Sequence, residues 1–344
     1  MTAARTVLAV DGGNSKTDVA LVREDGTVLA TARGPAFLPQ SAGAAAAVEV
    51  IGRTVRRALA GGTASPPYAD HVAAYLAGAD LPVEEEVLRA ELLTRGYAAD
   101  VAVGNDTFAL LRAGSSTGWG VAVVCGAGIN AVGVSAAGRI ARFPALGRVS
   151  GDWGGGHHLA EEAFWHAVRA EDGRGAATVL TEVVRACFGT ATVEEAVIGL
   201  HVGDLPADRL HALVPPLLAA AADGDTVACS LVERQAEEVA LLGVVAMRRL
   251  GLLAAPCEVV LGGGVLTARH PLLTSLIERH YAERAPLARL VIADVPPIVG
   301  AALLGLDRLG APSEAHARVR AHFLRDPQPS AASSSGSFSI TGER

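Results

Sequence analysis

Aromatic residues are scarce in this sequence: Phe, Trp and Tyr together make up 4% of 344 residues. A core with so few rings must pack with small aliphatic side chains, and 39 Gly provide turns and close backbone approach. Charge is thin as well, at 19% against 50% hydrophobic, which excludes a globally disordered chain. Positive charge is not in excess. The formal net charge of −7 argues against a basic nucleic-acid-binding face, so no nucleic acid is expected as a partner. It leaves an anionic nucleotide open, because backbone N–H groups and a divalent cation can hold phosphate without net positive protein charge. Cysteine is limited to Cys125, Cys187, Cys229 and Cys257, with no C-x-x-C pair and no zinc spacing, so reduced, scattered thiols are expected. The uncharged stretch 113–138 is the nearest thing to a long apolar run. Its many Gly, with Ser115, Ser116, Thr117 and Asn130, divide it into two short strands and a turn, and no membrane partner is expected. The opening residues do not read as a secretory leader, which gives the expectation of a cytoplasmic protein.

The pattern of what is present predicts an α/β chain. Thr6 to Val10, Thr17 to Arg23 and Thr27 to Ala32 read as an antiparallel meander, with Asp25-Gly26 as the strong hairpin signal. A helix over 41–60, a strand over 71–77, a helix over 84–95, a strand over 100–103 and a helix from about 107 follow. After residue 118 the order begins again: strands over 119–125, 129–134 and 139–143, a long helical section, then strand, helix, strand and helix to 309. The repeat is one of topology, and it predicts domains at 1–117 and 118–312. From 313 to 344 the pattern is lost, and the Ser-rich run 330–339 predicts a disordered tail.

Several Gly turns stand at matching places. Asp11-Gly12-Gly13-Asn14-Ser15-Lys16-Thr17 joins the first two strands; its glycines permit a tight turn with N–H groups exposed to a phosphate, and Ser15, Lys16 and Thr17 can donate to phosphate oxygens. Asp11 ends a strand, where a carboxylate could hold Mg²⁺ through water. An ordinary hairpin remains the other reading, and the Walker A spacing is absent. Cys125-Gly126-Ala127-Gly128-Ile129-Asn130 opens the second repeat in the same way, so two hairpins could clamp one triphosphate. Gly262-Gly263-Gly264 follows a strand and permits close approach to a flat group such as adenine. Asp106, at the start of a helix, could accept a proton from an attacking hydroxyl, but from position alone a helix-capping or first-turn acid is the better reading. The loop 147–156 holds Asp152 among glycines and could bind a polyol or be a mobile connector. His157-His158 is not an H-E-x-x-H site and reads as an exposed pair at a helix start.

Taken in order, DGGNSKT, NDT, CGAGIN, SGDWGGG, LGGGV and PPIVGAALLGL resemble the BadF/BadG/BcrA/BcrD ATPase family, within the actin-like superfamily, over roughly residues 5 to 310. Its N-acetylglucosamine and glucosamine kinases are the nearest likeness. The resemblance implies two actin-like lobes with a nucleotide cleft between them, ATP and Mg²⁺, an amino sugar as the small-molecule partner, and a homodimer. By motif, Gly12, Gly13, Asn14, Ser15, Lys16, Thr17, Gly126, Ala127, Gly128, Gly262, Gly263 and Gly264 would face ATP and Asp11 the Mg²⁺. Asp106 would be the catalytic base, which reverses the reading from position alone. Gly78, Asp106, Asn130 and Asp152 would line the sugar. Two departures bear on this: Ala127 stands where the motif usually has Thr, and 34–40 lacks the sugar-binding Asn common after the third strand. The implied reaction is phosphoryl transfer to a sugar 6-hydroxyl, N-acetylglucosamine first, with glucosamine or N-acetylmuramate as alternatives. An iron–sulfur activator of a dehydratase or reductase lacks the paired cysteines it needs. A sugar sensor without turnover is a third reading, which an intact Asp106 disfavours.

Overall fold

The computed structural model describes residues 4–59 and 64–325. Two five-stranded sheets are found among the described residues, ordered β3-β2-β1-β4-β5 and β8-β7-β6-β9-β10, so the two halves repeat one topology. The first holds β1 (Thr6–Gly12), β2 (Thr17–Arg23), β3 (Val28–Gly34), β4 (His71–Leu76) and β5 (Asp100–Asn105). The second holds β6 (Gly120–Cys125), β7 (Ile129–Val134), β8 (Ile140–Arg142), β9 (Cys257–Gly262) and β10 (Ala288–Ile292). In each, the first three strands run antiparallel and the last two join in parallel. This doubled order is the arrangement expected of an actin-like chain.

Helices cover the sheets. The first half carries α1 (Pro39–Ala42), α2 (Ala44–Ala58), α3 (Pro82–Thr94) and α4 (Asp106–Gly114). The helical section is α5 (Gly156–Glu171), α6 (Leu180–Phe188), α7 (Val193–Val202), α8 (Val214–Ala222) and α9 (Thr226–Leu250). The chain continues with α10 (Gly264–Thr267), α11 (Pro271–Arg284), α12 (Pro297–Leu309) and α13 (Ser313–Arg325). No single helix among the described residues is long and apolar enough to cross a membrane.

The central strands read as unbroken apolar runs because both of their faces are covered. In β1, Leu8 and Val10 pack with Val48 and Ile51 of α2, while Val7 and Ala9 face the other way, toward Val299 and Leu303 of α12. In β6, Val121 and Val123 face the helical section, and Ala122 faces Leu110 and Leu111 of α4. Helices α4 and α12 therefore lie between the sheets and touch each other. Small residues let them approach: a Cβ on Gly300 would stand 1.8 Å from the Ala109 carbonyl oxygen. Gly305 meets Val7, and Gly114 meets Val260, with similar tightness.

Two expectations are corrected here. The range 118–312 was expected to form the second domain, but α12 packs its buried face on the first sheet. The range 313–344 was expected to be a disordered tail, but 313–325 is helical. Ala315, Val319 and Phe323 recur at four-residue spacing and join α12 in its core. Arg320 donates to the carbonyls of Ala113 and Arg112, tying α13 to the end of α4. The apolar stripe is one residue wide and flanked by His and Arg, which hides it in a composition count. The Ser-rich run 330–339, expected to be disordered, lies outside the described residues.

Because the backbone carbonyl of Ala109 cannot give way cheaply, Gly300→Val is expected to cost about 3 kcal/mol or more. Urea unfolding would read this as a lower midpoint with the slope unchanged, and a midpoint equal to wild type would refute the close contact.

Candidate active site

Asp11, Asp80 and Asp106 stand at the carboxyl ends of three neighbouring parallel strands, or just beyond them. β1 pairs with β4 and β4 with β5, and the registers set Gly12 beside Leu76 and Leu76 beside Asn105. Carboxyl ends of parallel strands are where open α/β sheets place ligands, since the connecting loops converge there.

Around the first turn, Gly13 N–H donates to the Lys16 carbonyl at 2.8 Å, closing a tight hairpin. Asp11 lies opposite Asp18 in the β1–β2 register. Asp18 is compensated by a two-pronged Arg33 contact at 2.7 and 3.0 Å and by Lys16 Nζ at 3.1 Å. Asp11 is only 6% exposed. Burial first, then the charges of Asp106 and Asp18, push its carboxyl up to about 8 against the pull of Lys16 and Arg33. Among the described residues no group of three or more His, Cys, Asp or Glu is arranged to hold a metal. That fits a cation such as Mg²⁺, which keeps much of its water and takes one or two carboxylates plus phosphate. A buried carboxylate crowded by other negative charges is the group such a cation would relieve, so Asp11 suits the role.

Not every residue predicted on this turn reaches the cleft. Thr17 is fully buried and its hydroxyl donates to the Pro35 carbonyl at 2.7 Å, so its side chain is occupied in holding the third-strand exit. Lys16 is engaged by Asp18. Gly12 is buried against Leu76 and Phe37. Asn14 and Ser15 are exposed at the tip.

Three glycine segments converge at the second turn. Gly126 N–H donates to the Gly128 carbonyl at 2.9 Å. Gly156 N–H and His157 N–H donate to the carbonyls of Gly126 and Ala127 at 2.7 and 3.0 Å. A Cβ on Gly263, where φ is +87, would strike the Cys125 carbonyl at 2.5 Å; one on Gly155, also φ +87, would strike the Ala127 carbonyl at 2.6 Å. Gly128 and Gly264 have open space where a Cβ would be. The result is closely packed glycine backbone with little side-chain bulk, in which the N–H groups of Gly126, Gly156 and His157 are taken up by carbonyls of the turn itself. Val265 and Leu266, just past the third segment, line a cavity of about 200 Å³ edged by Arg269, His270 and Glu278.

Asp106 is the first-turn acid of α4 and not its cap. β5 runs on to Asn105, and Asn105, not Asp106, caps α4: its side-chain oxygen accepts from Thr107 N–H at 3.1 Å and from the Thr107 hydroxyl at 2.5 Å. Asp106 is left at the first helical position, half-buried, with its carboxyl pushed up to about 6 by burial and eased by the N–H groups of Thr107 and Asp106. Asn105 Nδ2 donates to Asp80 Oδ1 at 2.8 Å. Asn130 Nδ2 reaches the same oxygen at 3.3 Å and Asn105 Oδ1 at 3.4 Å. Asp80 is pushed up to about 7 by burial, then by Asp106 and Glu84, against Arg142 and the Asn105 hydrogen bond. Asp80 and Asn105 were missed by sequence reasoning; Asp80 stands two residues beyond Gly78.

The remaining predicted residues divide. Gly78 sits beside this cluster at φ +75, its carbonyl accepting from Gln40 Nε2 at 3.1 Å, and Gln40 comes from the 34–40 segment that lacks an Asn. Asp152 is tied into its own loop, its Oδ2 accepting from Gly147 N–H at 3.0 Å and the Ser150 hydroxyl at 2.6 Å. No hydrogen bond among the described residues links it to Asp106, Asn130 or Gly78. His157 is exposed as expected, but His158 is buried under Trp153, ring centroids 4.8 Å apart, and bonded to Glu162.

The sequence model of the BadF/BadG/BcrA/BcrD ATPase family matches residues 8–305. An N-acetyl-D-glucosamine kinase of Dictyostelium discoideum is 24% identical over 313 residues, covering 87% of this chain and 97% of its own. An N-acetylmuramic acid/N-acetylglucosamine kinase of Clostridium acetobutylicum is 23% identical over 265 residues, covering 76% of this chain and 85% of its own. A solved structure from Chromobacterium violaceum, assigned provisionally as an N-acetylglucosamine kinase, superposes with a TM-score of 0.68 at 25% identity, covering 88% of this chain and 99% of its own.

The raised carboxyl of Asp11 makes a stability prediction. Between about pH 4 and pH 8 the folded chain holds a proton there that the unfolded chain has lost, so this group's contribution to stability falls as pH rises through that window. Asp11→Asn removes the dependence. In metal-free buffer it is expected to be more stable than wild type at pH 8 by about 1 kcal/mol or more, and equal to it near pH 4. Thermal unfolding across that range checks this, and a constant gap between the two proteins would overturn it.

Proposed function

We propose, from the premise that this chain belongs to the BadF/BadG/BcrA/BcrD ATPase family, that it is an ATP-dependent sugar kinase whose substrate is an amino sugar, with N-acetylglucosamine phosphorylated at the 6-hydroxyl. The observation that supports this reading is Asp106: a half-buried carboxyl at the first position of α4, pushed up to about 6 by burial, next to Asn105, which with Asn130 holds the Asp80 carboxylate. The Dictyostelium and Clostridium relatives support the substrate class. The second of them carries N-acetylmuramate in its name, which supports that sugar as an alternative; glucosamine is the other.

In this reading the sugar lies over Gly78, Asp80 and Asn130, where carboxylate and amide groups can exchange hydrogen bonds with hydroxyls. Asp106 orients the attacking hydroxyl and takes its proton as the sugar oxygen bonds to the γ-phosphorus and the bond from that phosphorus to the bridging oxygen of the departing ADP breaks. The phosphates lie between the Gly12–Lys16 and Gly126–Gly128 turns, held chiefly by main-chain N–H groups, since Ala127 offers no hydroxyl. The base lies against Gly262–Gly264. Asp11 would hold Mg²⁺ through water, and bound with the nucleotide that ion neutralises phosphate charge. The acceleration comes from positioning and fixed dipoles more than from bond-making by the protein. Asp152 would join the sugar only if its loop moves toward Asn130 on binding.

ADP release with MgATP would be measured against N-acetylglucosamine, glucosamine, N-acetylmuramate, N-acetylmannosamine, glucose and no sugar. Stimulation by one amino sugar above the rest is expected; sugar-independent hydrolysis would sink the kinase reading. Asp106→Asn is expected to lower kcat by about 100-fold or more with folding intact. In the wild type kcat/KM should rise with pH through an apparent pKa near 6, because Asp106 must be ionised to accept a proton. Retained turnover in Asp106→Asn would remove it as the base.

A further inference from the structure

We infer that Gln235 is a positioning residue for the nucleotide-phosphate site, holding the Gly154–Gly156 backbone against the Gly126–Gly128 turn from the far side. The inference rests on the kinase reading for its assay and on the geometry for its content.

Gln235 lies in the middle of α9 and is fully buried, on a face otherwise made of Val232, Ala236 and Val239. An amide in such a place costs stability unless it is partnered. Its Oε1 accepts from Gly155 N–H at 2.9 Å. Its Nε2 is buried with no hydrogen-bond partner. Half of the side chain is thus satisfied and half is not, and the satisfied half is the acceptor on the glycine segment.

That segment has no slack. Gly154 and Gly155 adopt φ of +120 and +87. A Cβ on Gly154 would stand 2.7 Å from Gln235 Oε1, and one on Gly155 would stand 2.6 Å from the Ala127 carbonyl and Gly128 Cα. The glycine backbone is therefore pressed between the Gln235 amide on one side and the phosphate turn on the other. The next two N–H groups donate to the Gly126 and Ala127 carbonyls. The neighbouring Arg234 stacks over the Trp153 ring at 4.3 Å, fixing the residue before the segment. Fixing the Gly155 N–H toward α9 leaves the Gly156 and His157 N–H groups aimed at the turn. Without it, rotation about the glycine dihedrals would let both move, and the turn would lose its backing.

A side chain kept for packing alone would be better as Met, which fills the same volume without an unpaired donor. Gln235→Met is therefore the test, with Gln235→Glu as the conservative variant that keeps an acceptor oxygen. Gln235→Met is expected to raise KM for ATP about 10-fold, as loss of one buried hydrogen bond allows, with KM for the sugar within about 2-fold and the unfolding midpoint near wild type. Gln235→Glu is expected to return KM for ATP to within about 3-fold of wild type. The affinity of each protein for a non-hydrolysable MgATP analogue, measured calorimetrically without sugar, should follow the same order. Should the wild type bind the analogue yet phosphorylate no sugar, the kinase reading falls while the affinity order still decides the role of Gln235. An unchanged KM and affinity in Gln235→Met would overturn the inference. So would equal loss toward ATP and sugar together with a lowered unfolding midpoint, which is the signature of a merely structural residue.

Discussion

The contact between α4 and α12 is the constraint on which the two halves depend. Each helix covers a different sheet: α4 lies on β6, β7 and β9, and α12 on β1 and β4. Their mutual approach is set by Gly300 against the Ala109 carbonyl, with Gly114 and Gly262 allowing α4 to settle on the second sheet. Interiors packed to crystal-like density transmit such spacings directly, so a single added methyl there would shift one sheet relative to the other. Asp106 begins α4, which means that the helix placing the proposed base is also the one that spaces the halves.

Electrostatics then shapes the cleft. Asp11, Asp80 and Asp106 each come from the first sheet, and each is held above its ordinary carboxylate range chiefly by burial. Asp18, nearby, is ion-paired with Arg33 and Lys16 and ties the turn to the third strand. The opposite wall is made almost entirely of backbone, from Gly126–Gly128, Gly154–Gly156 and Gly262–Gly264. Carboxyl groups thus gather on the first sheet, while the facing glycine segments are held to one another by main-chain hydrogen bonds.

Much of this was legible in the sequence. The fully covered central strands advertised themselves by unbroken apolar runs, and Asp25-Gly26 marked the β2–β3 hairpin. The repeated strand order made the duplication visible without sequence identity between halves. What escaped depends on distance in space. Asp80 gains meaning only when β4 and β5 set it beside Asn105, and Gln235 lies 80 residues from the Gly155 N–H it accepts from. Thr17 looked like a phosphate donor by spacing, but strand pairing turns it inward to Pro35. The end of the chain was misread because its single-file stripe of Ala315, Val319 and Phe323 carries too little apolar mass to stand out among charges.

That last helix has a consequence for how the protein is made. The first sheet is complete by residue 105, yet the face of β1 that carries Val7 and Ala9 is covered by α12 and α13, from residues 297–325. The second sheet takes most of its helical cover from 156–250, and its last strands, β9 and β10, follow at 257–292. A chain emerging from the ribosome thus carries an open apolar face on its first sheet until residues 297–325 have been made. The Gly-rich, ring-poor composition limits how strongly that waiting surface attracts the wrong partner.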